Sequence, residues 1–317
     1  MQASLLVLCA LAGASPLTET PTAETPTADT AAAVRVAALE KIAVIGASLS
    51  AGWGMDQNPD PFAESTISLA HVIEASLLAP HEPVAHQATA MFFLMPEQTA
   101  AAMLKKVRAT QPSAIVALDY LFWFGYGDKG ASGAEGADPK AREAKRLADL
   151  ESGLESLAAF TCPILLGDLP DMRHATEVKQ PMLSKPMVPE PATLKAMNER
   201  IAAWAKERKN VVVVPLHDMT AKLRADEEIS LRGNTWPRGS AARLLQRDEL
   251  HTTIEGTSAV WIMTVDAWLK ADEDLPAGAF ELDANKIAAK IAALPKPAAK
   301  PARKPAKQGS RIVPAGS

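Results

Sequence analysis

Two short segments carry residue types that could act together as nucleophile and base. The first is Gly46-Ala47-Ser48-Leu49-Ser50-Ala51-Gly52-Trp53-Gly54, directly after the apolar run Ile42–Ile45. A serine at the end of a strand can expose its hydroxyl and leave its backbone N–H free to donate. It stays a weak nucleophile until a base removes its proton. The second segment is Asp248-Glu249-Leu250-His251, followed closely by Gly256. An aspartate three residues before a histidine can accept one imidazole N–H and leave the other nitrogen for a serine. His217 competes for the role of base, because it follows an apolar run and precedes Asp218. His86 points toward the same edge. The glycines at 46, 52 and 54 miss the spacing of a dinucleotide-binding loop.

These residues need a scaffold that brings strand ends together. Five short apolar runs supply candidate strands: Ile42–Ile45, Glu82–His86, Ala114–Leu118, Pro163–Leu166 and Val211–Val214. Amphipathic segments near 63–79, 97–110, 139–160, 190–208 and 254–272 alternate with them. Continuous apolar strands between helices imply a parallel sheet covered on both faces. Right-handed crossovers then give a doubly wound, three-layer α/β/α sandwich. In such sheets ligands bind beyond the carboxyl ends of the strands, so the residues just after each run are the site candidates.

Taken together, Gly46-Ala-Ser48-Leu-Ser and Asp248-x-x-His251 resemble the first and last motifs of the GDSL/SGNH hydrolases. Pro163-Ile-Leu-Leu-Gly-Asp-Leu-Pro170 is similar to that family's fourth strand and the loop after it. The resemblance spans roughly residues 40–272. It implies a flavodoxin-like five-stranded sheet and ester hydrolysis through an acyl-enzyme without metal or cofactor. Ser48 would be the nucleophile, His251 the base and then acid, and Asp248 its orienting partner. The chain departs from the family pattern at three places. Ala47 replaces an aspartate before the serine. His86-Gln-Ala-Thr-Ala-Met91 lacks the glycine whose N–H would face the oxyanion, leaving Ala88 or Met91 in that stretch. Leu121 aligns with the family's oxyanion asparagine. Asp119, Tyr120 and Trp123 are therefore candidates for the pocket and for replacement donors. The substrate would be an ester-containing small molecule, glycan or lipid. The missing donors also admit a non-catalytic glycan-binding protein on the same fold, and acyl transfer to a surface polymer is a third reading.

The ends of the chain differ from its body. Residues 1–14 read as a signal peptide, with an apolar stretch from Leu5 to Ala12 and small residues to Ala14. That implies export to a periplasmic or extracellular space. Residues 15–32 form a Thr/Pro-rich linker with the tandem repeat Glu-Thr-Pro-Thr-Ala. Residues 33–283 are assigned to the hydrolase-like domain and 284–317 to a basic, disordered tail. The formal net charge of −4 hides this division, since Lys286 to Ser317 holds eight Lys/Arg and no acid. Such a tail could make weak contact with an anionic polymer or membrane surface. Without aromatics to stack on bases it gives no basis for specific nucleic-acid binding. Cys162, beside a predicted strand, reads as an inert core thiol.

Overall fold

The computed structural model describes residues 37–56, 65–127, 138–179 and 181–294. The expected signal peptide, the linker and the tail beyond 294 lie outside them. In chain order the elements are β1 (Ile42–Val44), α1 (Ser48–Ala51), α2 (Leu69–Ser76), β2 (Ala85–His86), α3 (Pro96–Thr110), β3 (Ala114–Ala117) and α4 (Phe122–Gly125). There follow α5 (Pro139–Leu157), β4 (Ile164–Gly167), α6 (Pro191–Lys206), β5 (Val211–Val214) and α7 (Leu216–Arg224). The chain then forms β6 (Ile229–Leu231), β7 (Asn234–Trp236), α8 (Ala241–Leu244), α9 (Ile254–Ala271) and α10 (Ala284–Ala292).

Five strands pair in parallel in the order β2-β1-β3-β4-β5, as expected for a doubly wound sheet. The apolar runs explain the layering. Successive strand side chains point to opposite faces. Ile42, Val44, Val116 and Leu165 therefore join α2, α9 and α10 in one core. Ala43, Ile45, Ile115, Ile164 and Leu166 join α3, α5 and α6 in the other. β1, β3, β4 and β5 carry no polar side chain because both of their faces are covered.

The order reverses between β1 and β3, and the turns after these two strands meet there. Beyond β2 the sheet has an open edge, since that strand has only two residues. The expected second strand from 82 to 86 thus shrinks to its last pair. The β6–β7 hairpin was not anticipated.

The boundary at 283 moves. Residues 284–292 form α10, capped by the Asp283 carboxylate and packed on α2 and α9 through Ile287 and Ile291, both buried. Apolar residues at positions i and i+4 give this short helix a stripe that the body covers. The globular unit therefore includes it, and the first two lysines counted with the tail, Lys286 and Lys290, belong to it. Lys290 Nζ donates to the Ala75 carbonyl at 2.7 Å.

Candidate active site

The turn after β1 is built around Asp119. Its carboxylate lies at the carboxyl end of β3 and accepts the N–H groups of Ala47 (3.0 Å), Leu49 (2.8 Å) and Ser50 (3.2 Å). It also accepts the Ser50 hydroxyl at 2.6 Å. The Ser48 N–H is not among these donors. Burial pushes the Asp119 carboxyl above the ordinary carboxylate range, while the four donors favour its charged form. Gly46 has φ +148°, and a Cβ there would stand 2.1 Å from Asp119 Oδ1. Only glycine lets the carboxylate approach this closely. Gly52 ends α1 at φ 78°, where a Cβ would meet the Ile67 carbonyl at 1.9 Å. Ser48 itself is half-buried at the first position of α1.

The second half of the site comes from the loop before α9. His251 is buried, and its Nδ1 lies 2.7 Å from Asp248 Oδ2. The other oxygen, Oδ1, accepts the N–H groups of Leu250 and His251, each at 3.0 Å. Asp248 thus shapes its own turn with one oxygen and orients the imidazole with the other. Because a carboxylate only accepts, Nδ1 carries the proton and Nε2 is left to act. Burial opposes the charge on Asp248, but the His251 hydrogen bond and the neighbouring N–H groups outweigh it and hold the carboxyl below its usual range.

Two residues join the halves. Trp53, five residues after Ser48, sets its ring 5.8 Å from the His251 ring at 30°. The Trp53 N–H donates to the Ser48 carbonyl at 2.9 Å. Gln246 donates from Nε2 to the carbonyls of Trp53 (2.6 Å) and Thr252 (2.8 Å), and its N–H donates to the His251 carbonyl at 2.7 Å. The turn bearing Ser48 and the loop bearing His251 are therefore cross-tied. Sequence reading missed both linkers. Trp53 lies inside the first motif, where a large ring between two glycines was a readable signal. Gln246 offered none.

His217 is placed elsewhere. Its N–H caps onto Asp168 Oδ1 at 2.7 Å, and its Nδ1 meets the Leu169 carbonyl at 3.2 Å. It follows β5, three strand spacings from β1, or about 14 Å across the sheet. His217 thus sits at the β5 edge against the loop after β4, while His251 lies beside Trp53.

Ala88 and Met91 line a cleft of about 830 Å3 that starts at Ala51 and Trp53. Its far wall is one face of α3, through Gln98, Thr99, Ala102, Met103 and Lys106. The Thr89 N–H donates to the Gly46 carbonyl at 3.1 Å, which stitches this segment to the serine turn. The Met91 N–H is engaged with Thr89 Oγ1 at 3.3 Å. Met91 and Met95 form an apolar lip on the cleft. Met91, Phe93, Leu94 and Met95 are 39%, 43%, 58% and 57% exposed, and they are four of the eight large hydrophobics so exposed among the described residues.

Three pocket candidates take other roles. Asp119 is buried, with both oxygens on the serine turn, so it neither donates to an oxyanion nor reaches a substrate hydroxyl. Tyr120 is buried with its hydroxyl 2.6 Å from Ser156 Oγ, and burial pushes its pKa up to about 12. Trp123 is buried against Phe122 and Phe93 and does not line the cleft. The whole run from Tyr120 to Phe124, with Tyr126, packs into the core beside α5 and α6 because its apolar rings gain more from burial than from water. Leu121 belongs to it and lies against the close approach of Gly153. Cys162 is half-buried, and burial raises its thiol pKa. Among the described residues no three His, Cys, Asp or Glu side chains cluster so as to hold a metal ion.

No family model matches the chain, and no curated protein sequence matches it. Similar solved structures include a gut microbial diltiazem-metabolizing enzyme, at 11% identity and a TM-score of 0.48, covering 74% of this chain and 47% of that one. They also include an alpha/beta hydrolase enzyme from the metagenome of Lake Arreo, Spain, at 12% identity and a TM-score of 0.39, covering 75% and 97%. The chain spans about half the length of the first. Neither likeness assigns a role to a residue of this chain.

Proposed function

We propose that this chain is an exported serine esterase of the GDSL/SGNH type. The observation that carries the reading is the 2.7 Å Asp248–His251 hydrogen bond on a loop tied by Trp53 and Gln246 to the turn of Ser48. Ser48 Oγ attacks the acyl carbonyl while His251 Nε2 takes its proton. Asp248 holds the imidazole tautomer and balances the imidazolium. The tetrahedral oxyanion is held by the N–H of Ser48 and that of Ala88, since the Met91 N–H already has a partner. His251 then returns the proton to the leaving alcohol. Water, activated by the same imidazole, releases the acid from the acyl-enzyme.

The apolar lip supports an ester with an aliphatic acyl group over an acylated glycan. Flexible methionines suit a chain of variable shape. Leu121 in place of an asparagine leaves one oxyanion donor fewer, which costs about 10²–10³ in rate. Activated esters should therefore be turned over far better than alkyl esters.

The missing donor also favours a second reading, a binding protein that keeps the cleft without turnover. A fluorophosphonate probe separates the two. Labelling of the parent that disappears in Ser48→Ala is the expected result. A folded parent that stays unlabelled and hydrolyses no p-nitrophenyl ester would leave only the binder.

A further inference from the structure

The loop that carries Asp248 and His251 contains one backbone irregularity. Glu249, between them, has φ +54°, a left-handed conformation that costs a residue with a Cβ about 1–2 kcal/mol. This reversal turns Asp248 back toward His251. Within the loop the Glu249 N–H donates to the Gln246 carbonyl at 3.0 Å.

The Glu249 carbonyl accepts two hydrogen bonds from other elements. Arg224 Nη2, in the last turn of α7, donates at 3.0 Å. His174 Nε2, from the short 3₁₀ turn Arg173–Thr176 after β4, lies at 3.2 Å. A carbonyl only accepts, so His174 Nε2–H is the donor. Arg224 also grips the Glu249 side chain, with Nη1 2.8 Å from Oε2. The guanidinium thus forks over main chain and side chain of one residue, a geometry that a lysine cannot reproduce. The amino end of α7 is fixed as well, since the His217 N–H donates to Asp168. The β4 loop and α7 together make a bracket around the strained residue. Burial and the adjacent Arg224 charge lower the His174 pKa, which keeps this donor neutral.

We propose that Arg224 and His174 are positioning residues for the Asp248–His251 pair, acting through the Glu249 carbonyl. The proposal rests on the esterase reading. Neither side chain is placed at the reacting atoms. Their task is to keep Glu249 left-handed, so that Asp248 Oδ2 stays on His251 Nδ1 and Nε2 keeps its aim.

The test compares Arg224→Gln, Arg224→Lys, His174→Phe, the Arg224→Gln/His174→Phe double variant and Glu249→Gln in the full chain with a p-nitrophenyl ester. Arg224→Gln and His174→Phe should each lower kcat about 10- to 100-fold with KM little changed, because misaimed groups cost rate while the cleft is untouched. Arg224→Lys should recover part of the loss. The double variant should lose less than the product of the single losses, since both donors serve one acceptor. Glu249→Gln keeps the carbonyl but removes the side-chain half of the Arg224 fork, so kcat should fall less than in Arg224→Gln.

A second readout does not need turnover. In protein with labelled histidine, the Nδ1 proton of His251, identified by its loss in His251→Gln, should be sharp and far downfield in the parent. It should broaden or vanish in Arg224→Gln and His174→Phe while thermal unfolding remains cooperative. An active parent whose two variants keep kcat and this resonance would overturn the bracket. An inactive parent whose resonance still responds would overturn the esterase reading and leave the bracket standing. Melting profiles identify a variant that fails to fold, and Arg224→Lys with the resonance then decides.

Discussion

The Ser50 hydroxyl donates to Asp119 Oδ1 across 2.6 Å, joining the turn after β1 to the end of β3. The same carboxylate takes the N–H groups on both sides of Ser48 and omits that of Ser48. A single buried carboxyl therefore shapes the turn and spares the Ser48 N–H, one of the two donors that the proposed reaction uses.

Asp119→Asn tests this directly. An amide turns one acceptor oxygen into an NH2 facing N–H groups, so two donors oppose each other. The variant should lose about 2–4 kcal/mol of stability. Among molecules still folded, ester turnover should fall at least about 100-fold. Urea unfolding and turnover per folded molecule check it, and a variant matching the parent in both would contradict the role.

Asp248→Asn should keep the loop, because Oδ1 can still accept the Leu250 and His251 N–H groups. It loses the carboxylate that fixes the imidazole tautomer. The expected result is a kcat lower by about 10²–10⁴-fold with little change in KM. A larger effect on KM than on kcat would contradict it.

Asp168 has a stability role with a definite pH sign. Burial raises its pKa to about 6, despite the His217 N–H that it accepts. A carboxyl whose folded pKa exceeds its unfolded value favours folding fully at low pH, and that contribution is lost as pH rises through about 6. Asp168→Asn keeps the acceptor and removes the titration. Its stability relative to the parent should grow between pH 4 and pH 7, then level off. Melting temperatures across that range decide, and a constant difference would contradict the assignment.

Arg146 is completely buried on α5. It donates to the carbonyls of Gly125 (2.8 Å), Gly127 (3.0 Å), Pro186 (2.7 Å) and Met187 (3.2 Å), and to Glu143 Oε1 at 3.0 Å. Arg146→Met fits the volume but strands these acceptors. A loss of about 3–5 kcal/mol is expected in urea titrations, and a loss under about 1 kcal/mol would show that water replaces the guanidinium.

The apolar lip should set chain-length preference. Replacing Met91 and Met95 by serine should lower kcat/KM for p-nitrophenyl octanoate by about tenfold, since part of two apolar side chains' contact is lost. Hydrolysis of the acetate should stay nearly unchanged. Parallel losses on both esters would mean that the lip holds the fold and not the substrate.

The parallel sheet was legible in the chain because β1, β3, β4 and β5 are runs without polar side chains, which only two covered faces explain. The Asp248–His251 hydrogen bond was legible because it depends on local spacing, an aspartate one turn before a histidine. The roles of Asp119, Tyr120 and Trp123 were not. Their place after β3 marked them for the pocket. Yet whether a side chain at a strand end turns to solvent, to a neighbouring turn or into the core depends on what packs beside it. That is set by residues as much as 70 positions away. Where His217 and His251 lie was of the same kind. Both follow plausible motifs, and only the strand order puts one at the far edge of the sheet and the other beside Trp53. Short-range patterns thus determined the elements and the reactive types. Long-range hydrogen bonds and packing decided which of those residues face one another.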